Sequence, residues 1–320
     1  MDIEETHLHC PNWTDANEEI LTGPFNYLYH HPGKDFRKFM VESFNKILKV
    51  STNDLHKIEQ VIDILHCSSL LIDDVEDDAL LRRGIPAAHT VYGVPITINS
   101  SNYMYFKAFE ILKTLANLES FTVFNEEMLN LHRGQGLDLY WRETLTCPTE
   151  PEYCEMVMNK TGGLFRLAIR LMLSNSSIAK AYPIASSLLI KLINLFGIIY
   201  QIKDDYLNLQ SDNYENNKGF CEDISEGKFS FIIIHAIRFN LNNKEVISIL
   251  KQKTKDKSLK IYMLNYMQNV SNSFKYCEQT LSILTKKAES LINQIEIEFQ
   301  ITDRSITSDL YLILKKLASI

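Results

Sequence analysis

The strongest constraint on this chain is an acidic stretch that directly follows an apolar one. Leu70 to Ile72 closes an apolar run, and five carboxylates then occupy the six positions from Asp73 to Asp78. In a helix, Asp73 and Asp77 are four residues apart and share a face, where their charges repel each other. Mg²⁺ is a hard cation that binds carboxylate oxygens and commonly brings substrate phosphates with it. The stretch therefore indicates a metal–phosphate site.

Two alternatives for this stretch are an acidic surface turn and a calcium-binding EF-hand loop. A surface turn fits poorly, because the residues that lead to the carboxylates are too apolar for a solvated face: Val61, Ile62, Ile64, Leu65, Leu70, Leu71 and Ile72. An EF-hand loop requires glycine at its sixth position, and that position is Asp78 here.

The whole chain is predicted to be helical. Glycine (11) and proline (8) are sparse among 320 residues, and strand-like alternation is hard to find. Apolar residues recur instead at helical spacing, as in Leu188, Leu192 and Leu195. We expect an all-α bundle of roughly ten or more helices. Residues 1–22 are polar and are predicted to form a mobile N-terminal arm, with a single domain over residues 23–320.

Composition limits the possible functions and locations. The net charge is −7 and no basic stripe is interleaved with aromatic residues, so nucleic-acid binding is not expected. The six cysteines lack the spacing of a zinc site or a disulfide frame, which indicates reduced thiols. No secretory signal is visible, and no uninterrupted apolar run approaches the ~18 residues of a membrane span. We expect a cytoplasmic protein with no transmembrane segment.

A second acidic cluster follows another strongly apolar run, residues 195–200. Four polar residues then lie at helical spacing on one face: Gln201, Asp204, Asp205 and Asn208. Two apolar helices that each end in paired aspartates are a more specific signal than either alone.

Cationic residues accompany both clusters. Arg82 and Arg83 follow the first one, and guanidinium groups match phosphate oxygens bidentately. His66 lies at helical spacing from Asp73, and this spacing makes a core histidine and a site residue equally reasonable interpretations. Further candidates are Lys34 and Arg37 near the start of a helix, Lys160 and Thr161 at a glycine-rich helix break, and Lys218 and Lys228 in or beside a polar loop predicted to be a mobile flap.

No Ser/His or Cys/His nucleophile pair stands out in the sequence. Two acidic helices with up to three Mg²⁺ ions would instead clamp one diphosphate, and a second group of cations would hold another. Chemistry that needs charge clamps but no protein nucleophile suits the ionisation of an allylic diphosphate. A second substrate would then trap the resulting cation in a dry apolar cavity.

At several points the sequence resembles the trans-isoprenyl diphosphate synthases, most closely the eukaryotic, and in detail the fungal, geranylgeranyl diphosphate synthases. The motifs that carry the resemblance are Asn102-Tyr103-Met104-Tyr105-Phe106, His132-Arg133-Gly134-Gln135-Gly136-Leu137-Asp138, Asn159-Lys160-Thr161-Gly162-Gly163-Leu164-Phe165-Arg166 and Gly197-Ile198-Ile199-Tyr200-Gln201. The resemblance extends from about Pro24 to Asp309. It implies an isoprenoid-synthase helical bundle around a central cavity, and a homodimer or higher homo-oligomer.

The resemblance also implies roles for individual residues. Mg²⁺ would be bound by Asp73, Asp77 and Asp204. Isopentenyl diphosphate would be bound by Lys34, Arg37, His66 and Arg83. The allylic diphosphate would be bound by Arg82, Lys160, Thr161, Gln201, Lys218 and Lys228, and the three lysines of this group would act in catalysis with the three aspartates. The family has no dedicated protein base, and the released pyrophosphate is thought to take the proton.

Chain length is predicted from small and large residues along the cavity. Ser68 and Ser69 are small, so the cavity should continue past the point at which farnesyl synthases close it. The resemblance implies a deeper floor of Tyr105, Phe106 and His132, and therefore a twenty-carbon product.

Two alternatives remain at this stage. One is a terpene cyclase on the same fold, which would not need Lys34, Arg37 and His66. The other is a non-catalytic subunit of a longer-chain synthase, against which the two intact aspartate motifs argue.

Overall fold

The computed structural model describes residues 13–31, 33, 36–210 and 220–319, and within this part the chain is helical apart from one small hairpin. The helices are α1 (Asp15–Tyr29), α2 (Phe36–Leu48), α3 (Thr52–Glu76), α4 (Ala88–Tyr92), α5 (Val94–Lys113), α6 (Leu118–Thr144), α7 (Glu150–Lys160), α8 (Gly162–Ser174), α9 (Ser177–Ala181), α10 (Pro183–Gln210), α11 (Glu222–Glu226), α12 (Phe231–Phe239), α13 (Glu245–Lys251), α14 (Lys257–Asn269), α15 (Ser273–Glu298) and α16 (Ser308–Ala318). Antiparallel strands β1 (Leu81–Arg82) and β2 (Ile85–Pro86) form the hairpin. The all-α prediction is confirmed.

Local signals in the sequence set the ends of the helices that carry the acidic and cationic motifs. The Ser51 hydroxyl accepts a hydrogen bond from the amide of Asp54 and caps the start of α3. At the other end of α3, Asp77 is the C-cap, and the chain enters a hairpin whose turn uses the left-handed conformations of Arg83 and Gly84. The helix break predicted near Thr161 is confirmed, because α7 ends at Lys160 and α8 begins at Gly162.

Helix α8 lies at the centre of the bundle and positions the others. Nearly all of its residues are buried, because α2, α3, α6, α7 and α10 pack around it. α3 packs along α5, and α10 packs along α15. Glycine permits the closest crossings: a Cβ at Gly134 would overlap the backbone of Lys160, and one at Gly163 would lie 2.8 Å from Leu131 Cγ.

The predicted boundary between an N-terminal arm and the domain is wrong, because residue 22 lies inside α1. This helix packs on α3 and α5, and its Glu18 carboxylate accepts hydrogen bonds from Tyr103 Oη (2.7 Å) and Trp13 Nε1 (2.7 Å). Pro24 is buried within the helix. Residues 15–22 therefore belong to the helical body, while residues 1–12 lie outside the described residues.

One helix of the described chain, α10, is long and apolar enough to cross a membrane by length and composition alone. Polar residues such as Ser186, Lys191 and Asn194 interrupt this helix, so it is not the uninterrupted apolar run considered in the sequence, and the absence of a transmembrane segment stays a prediction. Half of its most apolar window is buried inside the protein, where α7, α8, α15 and α16 pack against it. A core helix that is surrounded on several sides has the same composition as a membrane span, so this helix is weak evidence for a membrane segment.

Candidate active site

The aspartates of the first acidic cluster, in the last turn of α3, differ in exposure and in hydrogen-bond partners. The Asp74 side chain is 2 % exposed and accepts a hydrogen bond from Arg82 Nε at 2.7 Å. Asp73 is 25 % exposed, and its Oδ2 lies 3.2 Å from a terminal nitrogen of Arg82. Asp74 therefore anchors the β1–β2 hairpin to α3, and Arg82, predicted to bind a diphosphate, lies mainly against Asp74.

Helix α6 supplies two charged residues that the sequence analysis did not assign. Asp138 is buried and accepts a hydrogen bond from Lys160 Nζ at 2.6 Å. Arg142, one turn further along α6, lies 2.5 Å from Asp77 Oδ1 and 3.4 Å from Asp138 Oδ2. Because Lys160 Nζ is also 3.6 Å from Asp73 Oδ1, these contacts join the end of α3 to α6 and α7. Gly134, Asp138 and Arg142 are spaced by four residues and therefore share one face of α6, and this spacing could have indicated that Asp138 and Arg142 belong to the site.

The first cluster carries more negative than positive charge. Five carboxylates lie around three cations: Asp73, Asp74, Glu76, Asp77 and Asp138 around Arg82, Arg142 and Lys160. Burial and the charge of Asp73 raise the pKa of Asp77. Burial would also raise the pKa of Asp138, but Lys160 and Arg142 hold it below its ordinary value. A divalent cation would relieve the repulsion at Asp73 and Asp77.

The donor set fits Mg²⁺ only in combination with a substrate. Among the described residues, no three His, Cys, Asp or Glu side chains converge as ligands of one ion. Asp73 and Asp77 lie together at the end of α3, whereas Asp204 lies on α10 and does not join them. Mg²⁺ is usually held by one or two carboxylates with waters and substrate phosphates, which agrees with this arrangement.

The second acidic cluster is built around Asp205, which is fully buried. Its Oδ2 accepts hydrogen bonds from Tyr153 Oη (2.6 Å) and the Phe231 amide (2.8 Å). Its Oδ1 accepts one from Gln201 Nε2 at 2.8 Å and lies 3.3 Å from Lys228 Nζ. Asp205 therefore connects α7, α10 and the start of α12.

The four residues predicted to share one face of α10 consequently differ in role. Asn208 is also buried, and its Oδ1 accepts a hydrogen bond from the Asp223 amide at 3.1 Å. Asp204 is partly exposed, and Gln201 accepts a hydrogen bond from Thr161 Oγ1 at 2.6 Å. Gln201 and Asp205 are in contact, as their spacing on one face predicts, whereas Asp205 and Asn208 are buried where α10 packs against neighbouring elements.

The predicted second group of cations also comes together. The Arg83 guanidinium donates to the carbonyl of His31 and lies against Gly33. Burial and the neighbouring Arg83 lower the pKa of Arg37. Burial, followed by the charges of Arg37 and Arg83, lowers the pKa of His66 well below its ordinary value. Arg37, His66 and Arg83 thus form an electropositive group of α2, α3 and the hairpin, and Lys34 lies outside the described residues.

Comparison with known proteins now assigns the chain to a family. The polyprenyl synthetase family model matches residues 18–267. The chain belongs to this family. It is 53 % identical to a geranylgeranyl pyrophosphate synthase of Hypoxylon pulicicidum over 89 % of this chain and 72 % of that protein. It is 49 % identical to the Fusarium fujikuroi enzyme of the same name, over 96 % of this chain and 71 % of that protein. The resemblance inferred from the motifs is thereby confirmed.

A third relative, geranylgeranyl pyrophosphate synthase 1 of Zymoseptoria tritici, is 52 % identical over 89 % of this chain and 83 % of its own length. The family match includes both acidic clusters and the group formed by Arg37, His66 and Arg83. Lys218, the remaining cation predicted for the allylic diphosphate, lies outside the described residues, whereas Lys228 follows Gly227, which has a φ of +71° at the end of α11.

The three residues predicted to form the floor of a prenyl cavity lie in different surroundings. The rings of Tyr105 and His132 lie 6.1 Å apart between α5 and α6. Phe106 is 74 % exposed, so it does not close a cavity inside its own chain. It points outward because successive residues of a helix are rotated by about 100°, and the neighbouring Tyr105 faces inward. Ser68 is buried where Ser101 Oγ donates to its carbonyl at 2.8 Å.

Proposed function

We propose that this chain is a Mg²⁺-dependent geranylgeranyl diphosphate synthase. It condenses isopentenyl diphosphate with an allylic diphosphate, farnesyl and also geranyl or dimethylallyl, by ionisation, condensation and elimination. The observation that supports this proposal most strongly is that the cations fall into two groups with different neighbours. Lys160, Arg142 and Arg82 lie among carboxylates, whereas Arg37, His66 and Arg83 lie together on α2, α3 and the hairpin. Two anionic substrates require two such groups, and a terpene cyclase requires only one.

The allylic diphosphate binds between the two acidic clusters in this proposal. Asp73, Asp77 and Asp204 hold up to three Mg²⁺ ions, which supply positive charge to the leaving diphosphate when bound. Lys160 and Lys228 both lower the pKa of Asp138. They neutralise further phosphate oxygens together with Arg82, Thr161, Gln201 and Lys218. Charge that develops on the leaving group is then stabilised without a protein nucleophile.

Isopentenyl diphosphate binds at Arg37, His66 and Arg83, with Lys34 as a fourth ligand. The lowered pKa keeps His66 neutral near pH 7, so its ring nitrogens serve as one hydrogen-bond donor and one acceptor. Gly33 matters because a Cβ there would lie 3.2 Å from the Arg83 guanidinium and displace it. After condensation, the released pyrophosphate takes the proton.

The product is proposed to have twenty carbons. Small residues, Ser68 and Ser69, precede the first cluster on α3, and Tyr105 forms the floor in this proposal. His132 is exposed, and its ring lies 6.1 Å from that of Tyr105. Replacing Tyr105 by alanine should lengthen the product, as measured by chromatography of the dephosphorylated alcohols. An unchanged product would remove Tyr105 from this role.

We also propose that the enzyme is a homodimer, assembled through α5 and α6. Exposed apolar residues recur along α6 at intervals of three turns, namely Leu118, Leu129 and Tyr140. On α5, Phe106 and Phe109 extend this surface. A second copy is the occupant that would bury Phe106, and sedimentation should therefore give the mass of two chains. The five cysteines of the described chain are free thiols, which supports a cytoplasmic location.

The proposed reaction is tested by incubating the purified chain with isopentenyl diphosphate and each allylic diphosphate, with and without Mg²⁺. Mg²⁺-dependent geranylgeranyl product supports both the reaction and the chain length. A farnesyl or longer product would keep the reaction and contradict the floor. A cyclic hydrocarbon would indicate a cyclase. No turnover of any substrate pair would indicate a non-catalytic subunit.

A further inference from the structure

Arg142 occupies an unusual position for an arginine in the last turn of α6. It is only 4 % exposed, and its Nε is buried without a hydrogen-bond partner among the described residues. Its two terminal nitrogens contact Asp77 Oδ1 (2.5 Å) and Asp138 Oδ2 (3.4 Å). A buried guanidinium is costly to desolvate unless carboxylates compensate it, so the pair of acidic partners explains how this side chain is tolerated.

The two arginines beside the first acidic cluster bind different aspartates. Arg82 binds mainly Asp74, which is buried and anchors the hairpin. Arg142 binds Asp77, which the proposed function assigns to the metal. Asp77 is also the C-cap of α3, where only the preceding helix supports its backbone. The contact from α6 therefore fixes the orientation of a carboxylate that sits at the end of another helix.

The position of Arg142 is set by Asp138. This carboxylate lies one helical turn before Arg142, is 1 % exposed, and also accepts the hydrogen bond from Lys160 Nζ. One buried acid thus holds two cations, one against Asp77 and one within 3.6 Å of Asp73. The two carboxylates assigned to the metal on α3 are each approached by a cation that Asp138 positions.

We propose that Arg142 is a positioning residue that orients the Asp77 carboxylate for metal binding. This inference rests on the proposed function. A guanidinium contributes two things at this place, a positive charge that offsets the acidic cluster and a rigid planar fork that fixes the carboxylate. Residues that orient a metal ligand typically change metal affinity by roughly 10- to 100-fold when they are removed.

Arg170 offers a matched control within the same chain. It also joins two carboxylates of α6, at 2.6 Å from Glu126 and 2.7 Å from Glu127, but neither of them belongs to the acidic clusters. Arg142→Gln and Arg170→Gln therefore each remove a guanidinium that pairs with two carboxylates. Only the first removes a contact to an assigned metal ligand. Arg142→Lys keeps the charge and removes the fork.

The test measures Mn²⁺ binding by electron paramagnetic resonance in the presence of inorganic pyrophosphate, together with the Mg²⁺ concentration for half-maximal activity. We expect Arg142→Gln to weaken Mn²⁺ binding by roughly 10- to 100-fold and to raise the half-maximal Mg²⁺ concentration in parallel. Arg142→Lys should weaken binding by less, and Arg170→Gln should bind as the wild type does even if it unfolds at a lower temperature.

Several results would overturn the inference. If Arg142→Gln binds Mn²⁺ as tightly as the wild type, or if Arg170→Gln weakens Mn²⁺ binding equally, Arg142 has only a structural role. A raised KM for the allylic substrate with unchanged Mn²⁺ binding would indicate direct contact with the diphosphate. If Arg142→Gln does not fold, Arg142→Lys decides, because wild-type binding there would show that the orienting fork is not needed. Failure of the wild type to bind Mn²⁺ with pyrophosphate would overturn the proposed function as well.

Discussion

Helix α6 carries two buried carboxylates, Glu127 and Asp138, whose surroundings differ in charge balance. They lie eleven residues apart, or about 16 Å along the helix. Glu127 accepts hydrogen bonds from Arg166 Nε (2.9 Å) and Arg170 (2.7 Å), and Arg170 also pairs with Glu126. This balanced cluster holds two carboxylates and two guanidinium groups. The cluster around Asp138 holds five carboxylates and three cations.

The difference in charge balance separates buried charges that stabilise the fold from buried charges that can bind a ligand. In the balanced cluster, burial would raise the pKa of Glu127, but Arg166 and Arg170 keep it below its ordinary value. In the acidic cluster, the pKa of Asp77 is raised by burial and by Asp73, so the folded chain retains an unfavourable charge. Repulsion that packing leaves unrelieved is what a bound cation can relieve.

The largest expected difference between the two clusters is in catalytic activity. Asp73→Asn removes an assigned metal ligand, and we expect kcat/KM to fall at least about 100-fold, because a group that stabilises the leaving charge is lost. Thermal stability should stay close to that of the wild type, since the cluster still has enough carboxylates to pair each cation. A variant that keeps wild-type kcat/KM would contradict the role of the acidic cluster.

The second effect concerns stability in the balanced cluster. Glu127→Gln leaves the buried Arg166 guanidinium and the partly buried Arg170 guanidinium without their shared carboxylate, and we expect the free energy of unfolding to fall by about 3–5 kcal/mol. Denaturant unfolding measures this change. The matched comparison is Asp73→Asn, which should unfold near the wild-type midpoint. If Glu127→Gln were as stable as the wild type but inactive, the assignment of the two clusters would be reversed.

The third effect is stabilisation by ligand. Mg²⁺ with inorganic pyrophosphate, at 100 times the dissociation constant, should raise the free energy of unfolding by about 2.7 kcal/mol, because it binds the folded chain only. Thermal unfolding with and without the pair measures the shift. Arg170→Gln should show the same shift as the wild type, whereas Asp73→Asn should show much less. An equal shift in both variants would separate the acidic cluster from metal binding.

The smallest effect is a pH dependence outside both clusters. Because the pKa of His66 lies well below 6.5 in the folded chain, the unfolded chain binds a proton as pH falls below 6.5 while the folded chain does not. The free energy of unfolding should then decrease by up to about 1.4 kcal/mol per pH unit. The pKa of Glu127 is also lowered in the folded chain, so the stability that this carboxylate contributes is present above pH 4.5 and is lost only at lower pH.

Unfolding at pH 7.5 and pH 5.5 measures this contribution of His66. The loss of stability between these values should be smaller in His66→Gln than in the wild type by about 1 kcal/mol or more. His132→Gln, at an exposed position, is the control and should behave as the wild type does. Equal losses in all three proteins would show that His66 is not buried among cations as the structure has it.

Several features could be predicted from the sequence because they depend on neighbours along one helix. The bounds of α3, the pairing of Asp73 with Asp77 on one face and the break at Thr161 follow from spacing, capping and glycine content. The family could be recognised for the same reason, since its motifs are short and contiguous. The prediction of a separate arm failed because Glu18 is fixed by Tyr103, 85 residues away.

The contacts between helices depend on the tertiary structure. The sequence shows that two apolar helices end in aspartates. It does not show that Asp205 is buried between several helices or that Phe106 faces outward. It also did not reveal that Arg142 lies against Asp77, 65 residues away. Spacing along a helix specifies only its own faces, whereas the crossing of one helix over another depends on how the side chains of both pack together.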